Sequence, residues 1–483
     1  MKKMVCGMLA LVCAGGSLFA EVVLSGSGRI LWAPFGAQLP NDDSAKWGDG
    51  KDYPVRTYFG AENPWWNDGP RIGLNLNGQR EEGNMGFKLG FRVENGAPVI
   101  DDCIANVWLR PFYNAEDEGN AVLGSITLTF GQYAIDNMRY KFAGSGIGFH
   151  NYVQYIRAGD SGAGLTNEES TFQRFQSPGF GTHISIEPVS GLWLGAGFGS
   201  VGSSRLFRNE WHENGWVDAM KNAQIAAGYT IEGVGLVRVQ WVGWQEKYWR
   251  VTEADPSGNP TKWGWVVESL DKPLNYTGDA GKIQAAFNLT AVKGFNADLG
   301  VSFALADEKD WWDDLDKTNK TKTVTTQPNH TVSLGFDVNT RPVRVYGIAS
   351  GKFGGYTEEK PAVGDSTTVK QGTELSLNIE PWWYINSGLM LVAELFVDTR
   401  FGSDEEVTGS TGQRGADADP SRNPDAGAKN NYTDLGFGLF VRKNIPGGDI
   451  RAGVACKVPG VAGDAHKGAA LQITVPVMFN YGF

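Results

Sequence analysis

The chain has 483 residues, with 43 basic and 54 acidic side chains and a net charge of −11, a balance that argues against a basic nucleic-acid binder. Beyond residue 20 no stretch approaches eighteen uninterrupted apolar residues, so no transmembrane helix is expected. A barrel escapes that test, because only alternate residues of its strands face lipid.

Residues 1–20 have the form of a secretory signal peptide and are set apart from the fold. Lys2 and Lys3 form a basic start, Met4 to Ala14 an apolar run, and Gly15, Gly16 and Ser17 lead to Ala20, with cleavage expected before Glu21. Leu18 stands where a small residue is usual. Cys13 raises a lipidation alternative, against which Val12 is too bulky for the usual site. Cleavage leaves residues 21–483 as a single domain with two cysteines, Cys103 and Cys456, whose spacing suggests neither metal nor redox work.

Period-two alternation, the signature of strands with one apolar face, recurs along this domain. It opens over 22–35 and continues at Ile72, Leu74 and Leu76, then at Phe87, Leu89, Phe91 and Val93. Weaker runs follow at Ala105–Leu109 and Ile126–Phe130, then at Ile184, Ile186 and 192–198. Residues 221–231 and 234–245 read as a hairpin about Glu232-Gly233. Ile283–Leu289 turns through Lys293-Gly294 into Leu299–Leu305. Val332–Val338 turns at Thr340-Arg341-Pro342 into Val343 and Val345, and Leu375–Ile379 turns near Asn386-Ser387-Gly388 into Leu389–Leu395. Leu435–Val441 turns at Pro446-Gly447-Gly448 into Ile450–Cys456. The last strand, Leu471 to Phe483, is apolar at every odd position, with Pro476 and Met478 as exceptions in the even phase. Pro476 removes one ladder donor. The count is about eighteen strands, with sixteen to twenty compatible.

Long polar connections at 36–68, 134–178, 200–220, 246–280, 307–329, 354–371 and 401–430 take turns with tight ones. If Glu21 starts on the periplasmic side, every long connection falls on the other, and an even strand number brings Phe483 back. That parity is expected of an all-β, transmembrane, antiparallel up-and-down barrel with short periplasmic turns and long extracellular loops. A soluble sandwich gives no reason for it. Trp382, Trp383 and Tyr384 at one end, and Trp65, Trp66, Trp311 and Trp312 at the other, are candidates for two interfacial girdles, with loop packing as the alternative.

The neighbours of the apolar positions are polar: Lys88, Arg92, Arg110, Arg238, Lys282, Asp298, Asp337, Arg344, Glu374, Glu380, Glu394, Asp398, Asp434, Arg442 and Arg451. At the lipid midplane each Lys or Arg costs roughly 2–4 kcal/mol, so these charges call for a wet interior. The pore-lining candidates are Lys88, Arg92, Arg110, Arg238, Arg344, Glu374, Glu380, Glu394 and Asp398. Lys88, Arg92 and Arg110 form a basic wall, and Glu374, Glu380, Glu394 and Asp398 an acidic one. Two expectations stand together: a transverse field across a constriction, or local pairing with neighbours. The 134–178 connection either folds inward, placing Arg139, Lys141, Arg157 and Arg174 at a constriction, or stays at the surface.

The five histidines, His150, His183, His212, His330 and His466, lie on separate segments and form no catalytic spacing, and no enzyme is expected. The acidic runs 310–316 and 417–419 lack the glycine and terminal glutamate of a helix-loop-helix calcium site, so neither metal nor cofactor is expected.

The final strand resembles the closing strand of bacterial outer-membrane barrels, which implies recognition of Phe483 by the barrel-assembly machinery. The leader running into EVVLSGSGRILWAPFG, the hairpins NAQIAAGYTIEGVGLVRVQWVG and KIQAAFNLTAVKGFNADLGVSFALA, and the terminal TVPVMFNYGF resemble spirochaetal outer-membrane porin-like proteins. The resemblance spans the domain through pattern and turn style and carries over no functional residue. It implies a barrel that passes small hydrophilic solutes or ions, or one whose loops bind host molecules as an adhesin or antigen. A transporter of hydrophobic ligands is the third reading; it needs an apolar interior and usually an amino-terminal plug. The partners implied are outer-membrane lipid, the assembly machinery and small hydrophilic solutes, with a homo-oligomer as an option.

Overall fold

The computed structural model describes residues 21–39, 55–60, 71–80, 82–94, 97–114, 121–135, 175–199, 224–242, 248–254, 260–266, 282–304, 307–311, 322–327, 329–361, 365–406, 428–466 and 471–482. Its strands, in chain order, begin with β1 (Glu21–Leu39), β2 (Val55–Gly60), β3 (Arg71–Gln79), β4 (Met85–Glu94), β5 (Ala97–Leu109), β6 (Thr127–Ile135), β7 (Phe175–Val189) and β8 (Leu192–Gly199). There follow β9 (Gln224–Ile231), β10 (Gly235–Val242), β11 (Tyr248–Ala254), β12 (Pro260–Val266), β13 (Lys282–Leu289), β14 (Phe295–Ala304), β15 (Asp307–Trp311) and β16 (Lys322–Gln327). The last are β17 (His330–Asn339), β18 (Val343–Phe353), β19 (Tyr356–Pro361), β20 (Thr367–Lys370), β21 (Thr373–Asn386), β22 (Leu389–Phe401), β23 (Tyr432–Ile445), β24 (Gly448–Gly463) and β25 (Leu471–Gly482). One helical turn, α1 (Ala121–Gly124), lies between β5 and β6.

Nineteen strands make one sheet, and the sheet closes on itself. β1 pairs antiparallel with β3, Glu21 opposite Gln79, and on its other edge with β25, Ser27 opposite Gly482. β2 lies only against the far half of β1, Leu31 opposite Gly60, so the ring has eighteen strands. Closure satisfies every strand edge within the ring, which a sheet surrounded by hydrocarbon requires. β11 and β12 form a separate hairpin, and β15, β16, β19 and β20 a separate four-stranded sheet.

The start of β1, the end of β25 and the tight turns share one end of the ring. Lys293-Gly294 is one such turn: Gly294 has φ +78°, and a side chain there would meet the Asn339 carbonyl at 2.9 Å. Two connections depart from expectation. β5 already begins at Ala97, so only residues 95 and 96 separate it from β4 at the long-loop end. Residues 110–126 make an extended connection at the short-turn end, where α1 sits.

Pro476 fits the last strand through its partner. The β1–β25 register slips between Trp32 and Phe35, which face Val477 and Val475, so the bulge lies opposite the residue that lacks an N–H.

The two faces separate cleanly. Along β22, Met390, Val392, Glu394, Phe396 and Asp398 are buried while the residues between them are not. The other phase carries exposed apolar side chains all round the ring: Ile72, Phe130, Ile225, Leu299, Leu375 and Phe437 are examples. A continuous apolar belt of this extent far exceeds the patches of soluble monomers and matches a lipid-facing surface.

Candidate functional site: the inner face of the barrel

A strand places successive side chains on opposite faces, so the belt fixes which residues point inward. Lys88 stands on the inner face of β4, in register with Asn77 of β3 and Asn106 of β5, and is exposed. Arg92 sits four residues on, opposite Gly73; its side chain, like that of Lys282, falls outside the described residues. Arg110 departs from the expected wall. It lies just past β5, donates Nε to the Gly124 carbonyl at 3.2 Å and stacks its guanidinium 3.9 Å from the Tyr113 ring. It therefore fastens the 110–126 connection to α1, because the strand ends one residue before it.

Further round the ring the inner face is closely packed. Arg238 on β10 and Asp298 on β14 are fully buried and joined at 2.7 Å across β13. Beside them Gln240 donates to Gln284 at 2.7 Å and Gln284 to Ser302 at 3.2 Å, a polar ladder over three strands. Buried polar groups linked this way avoid most of the desolvation penalty of isolated ones.

The four acidic candidates do gather on β21 and β22. Ser376 donates to Asp398 at 2.7 Å, Asn378 to Glu394 at 3.0 Å and the Trp382 indole to Glu380 at 3.2 Å, while Lys352 meets Glu374 at 3.2 Å. Glu380, Glu394 and Asp398 are buried. Each acidic candidate thus has a neighbour on its own strand or the next, the pattern of local pairing. In ring order, β4 and the β21–β22 pair are six to seven strands apart by the shorter path.

Nearer the long-loop end, Asp434 on β23 is fully buried between Lys457 at 3.1 Å and His466 at 3.0 Å, and accepts from the Gly460 amide at 2.8 Å. His466 adopts φ +67° and stacks on Tyr432 with ring centroids 4.1 Å apart. Nothing in the spacing of the sequence signalled this cluster.

The short-turn end differs. Here the inward phase holds Trp382, Met390, Val392, Phe440, Ala455 and Met478, a buried apolar cluster against which Tyr346 and Tyr384 pack. Trp382 and Trp383, expected together in an interfacial girdle, split: Trp382 is 6% exposed inside and Trp383 59% exposed outside. Around this cluster lie Arg344, bound to Asp337 through Nε at 2.8 Å and Nη2 at 2.6 Å, and Arg442 and Arg451, which share Asp449 at 3.1 and 2.6 Å. A cavity of about 320 Å³ opens between Arg341, Arg344, Arg442, Trp382, Tyr384 and Met390. The sequence carried the signal: Trp382, Val392, Phe440 and Met478 are large apolar residues in the phase otherwise given to charges.

Arg139, Lys141, Arg157 and Arg174 lie outside the described residues, as do Trp65, Trp66 and Trp312. Cys456 is a buried free thiol; the Cys103 side chain is outside the described residues.

No family model matches the chain, and no curated protein does. Among solved structures it is similar to the outer membrane channel DcaP of Acinetobacter baumannii, with 14% identity, 96% of this chain and 97% of that chain covered, and a TM-score of 0.44. It is similar to an anion-selective porin from Comamonas acidovorans, with 11% identity, coverage of 96% and 99%, and a TM-score of 0.40. OmpT, an outer membrane protein of Vibrio cholerae, gives 9% identity, coverage of 96% and 99%, and a TM-score of 0.40.

Proposed function

We propose that this protein is a non-enzymatic, porin-like channel of an outer membrane that passes small hydrophilic solutes or ions. The observation that carries the reading is the contrast between the two faces of one closed ring: an apolar belt outside and a largely polar and charged face inside. A ring of this strand number encloses more room than its own side chains fill, which leaves space for an aqueous path. The short-turn end then faces the periplasm and the long loops face outward. Residues 1–20 direct export, cleavage leaves Glu21 at the head of β1, and the assembly machinery engages β25. The four stretches that resemble spirochaetal porin-like proteins extend the reading to a spirochaetal envelope.

Along the path, Lys88 is an accessible charge of the basic side, whereas Glu380, Glu394 and Asp398 act through the polarity of a paired wall. Arg92, Arg344 and Glu374 complete the pore-lining set, whereas Arg238 is buried against Asp298 and acts within the wall, and Arg139, Lys141, Arg157 and Arg174 serve as constriction candidates. The test is swelling of proteoliposomes in isosmotic sugars of increasing size. Swelling rates that fall with solute size support a channel; liposomes that stay impermeable around folded barrel overturn it.

A second reading, a surface adhesin, draws on the β11–β12 hairpin and the four-stranded sheet, both inserted in long-loop connections. An impermeable but folded barrel that binds host matrix proteins through those insertions would favour it.

A further inference from the structure

The cavity at the short-turn end combines guanidinium groups with an aromatic wall. Three guanidinium groups line it, from Arg341 in the β17–β18 turn, Arg344 on β18 and Arg442 on β23. No carboxylate lines it among the described residues. The nearest acids are already engaged: both Asp337 oxygens accept from Arg344, and Asp449 is shared by Arg442 and Arg451. A third acid, Glu380, accepts from the Trp382 indole at 3.2 Å, so four arginines face three carboxylates, an excess of one positive charge. Arg341 is exposed, and the buried Nε of Arg442 has no hydrogen-bond partner.

The remaining wall is mostly aromatic and apolar, with Ser387 and Asn444 as its polar members. Trp382, Tyr384 and Met390 line the cavity, and Tyr346 packs behind, its ring centroid 5.0 Å from that of Trp382. The guanidinium carbons of Arg341, Arg344 and Arg442 lie 5.1, 4.3 and 5.4 Å from the centroids of Tyr384, Tyr346 and Trp382. Cations held against ring faces stay partly desolvated and keep edge donors for an acceptor. The volume, about 320 Å³, is at the small end of ligand pockets.

We propose that this cavity is a binding site for small organic anions that pair a carboxylate with a flat apolar body, such as aromatic carboxylates. The carboxylate takes donors from Arg341 and Arg442, and the ring lies against Trp382 and Tyr384. On the channel reading, the site stands at the periplasmic mouth and holds such solutes as they leave the pore. The proposal leans on that reading only for the ligand's route, because binding is measurable where nothing needs to be conducted.

The experiment is equilibrium binding, by calorimetry, to folded full-length mature protein in detergent, with benzoate as probe, acetate as the ring-less acid and benzyl alcohol as the uncharged ring. Benzoate is expected to bind at least about tenfold more tightly than either control. Arg341→Gln and Arg442→Gln are each expected to weaken benzoate several-fold, and Lys443→Gln, at the same end but on the opposite face of β23, to leave it unchanged. Arg341 lies in an exposed turn, so its variant folds even if Arg442→Gln does not; heat-modifiable gel mobility reports folding. Equal binding of benzoate and benzyl alcohol, equal binding of benzoate and acetate, or wild-type affinity in folded Arg341→Gln would each overturn the proposal. A conducting barrel that binds no benzoate rejects this site and leaves the channel standing; a barrel that binds benzoate without conducting does the reverse.

Discussion

Placing one arginine on each face of the barrel separates the two environments energetically. Leu439 is near the middle of β23, in register with Ala393 and Val454 on the outer face, and is 54% exposed. Leu439→Arg puts a guanidinium near the centre of the belt, at a cost of about 2–4 kcal/mol at the bilayer midplane. Asn77→Arg puts the same group on the inner face beside the exposed Lys88. There the penalty is repulsion between two hydrated cations, about 1 kcal/mol or less. The outer variant should therefore lose roughly 2–3 kcal/mol more than the inner one. Equilibrium urea unfolding in phospholipid vesicles, read by tryptophan emission and heat-modifiable mobility, measures both. Equal losses, or a larger loss for Asn77→Arg, would refute the assignment of faces and with it the lipid belt.

Three further outcomes follow from particular contacts. Asp449→Ala removes the buried carboxylate shared by Arg442 and Arg451, and since both guanidinium groups are only partly buried the expected loss is about 2 kcal/mol, between exposed and fully buried pairs; adding Arg451→Ala should recover part of it in the same unfolding assay. Gly294→Ala combines a left-handed φ with a 2.9 Å approach to the Asn339 carbonyl and should cost about 1–2 kcal/mol, seen as a lower urea midpoint; an unchanged midpoint would contradict the turn geometry. Lys88→Glu should shift the reversal potential in a salt gradient toward cations, whereas Glu394→Gln, at a buried position bonded to Asn378, should shift it less; the opposite order would mean that the acidic wall sets ion preference.

The outer phase was legible because lipid constrains it through one simple quantity, hydrophobicity at every second residue. Val332–Val338 and Leu389–Leu395 read as strands for that reason, and strand parity then fixed the ends. The bulge opposite Pro476 was not legible, since the sequence shows the missing donor and not the partner strand that yields to it. The inner phase obeys no single solvent. Glu374, Glu380, Glu394 and Asp398 read as an acidic wall, but their meaning depends on partners across the strand pairs, such as Ser376, Asn378 and Tyr432. Alternation over Ala105, Val107 and Leu109 puts Arg110 in the inner phase; the strand stops at Leu109 and the side chain turns to α1. The Trp382-Trp383-Tyr384 run was read by composition, although alternation alone sends Trp382 inward. The Asp434–His466 contact joins residues 32 apart through a left-handed backbone position, which no periodicity encodes.

The central claim is that the ring encloses a continuous aqueous path. Single-channel recording of the refolded mature protein in a planar bilayer tests it most directly. The account predicts discrete, ohmic conductance steps whose ion preference moves on reversing Lys88. A heat-modifiable, fully folded barrel that inserts and carries no current would contradict it.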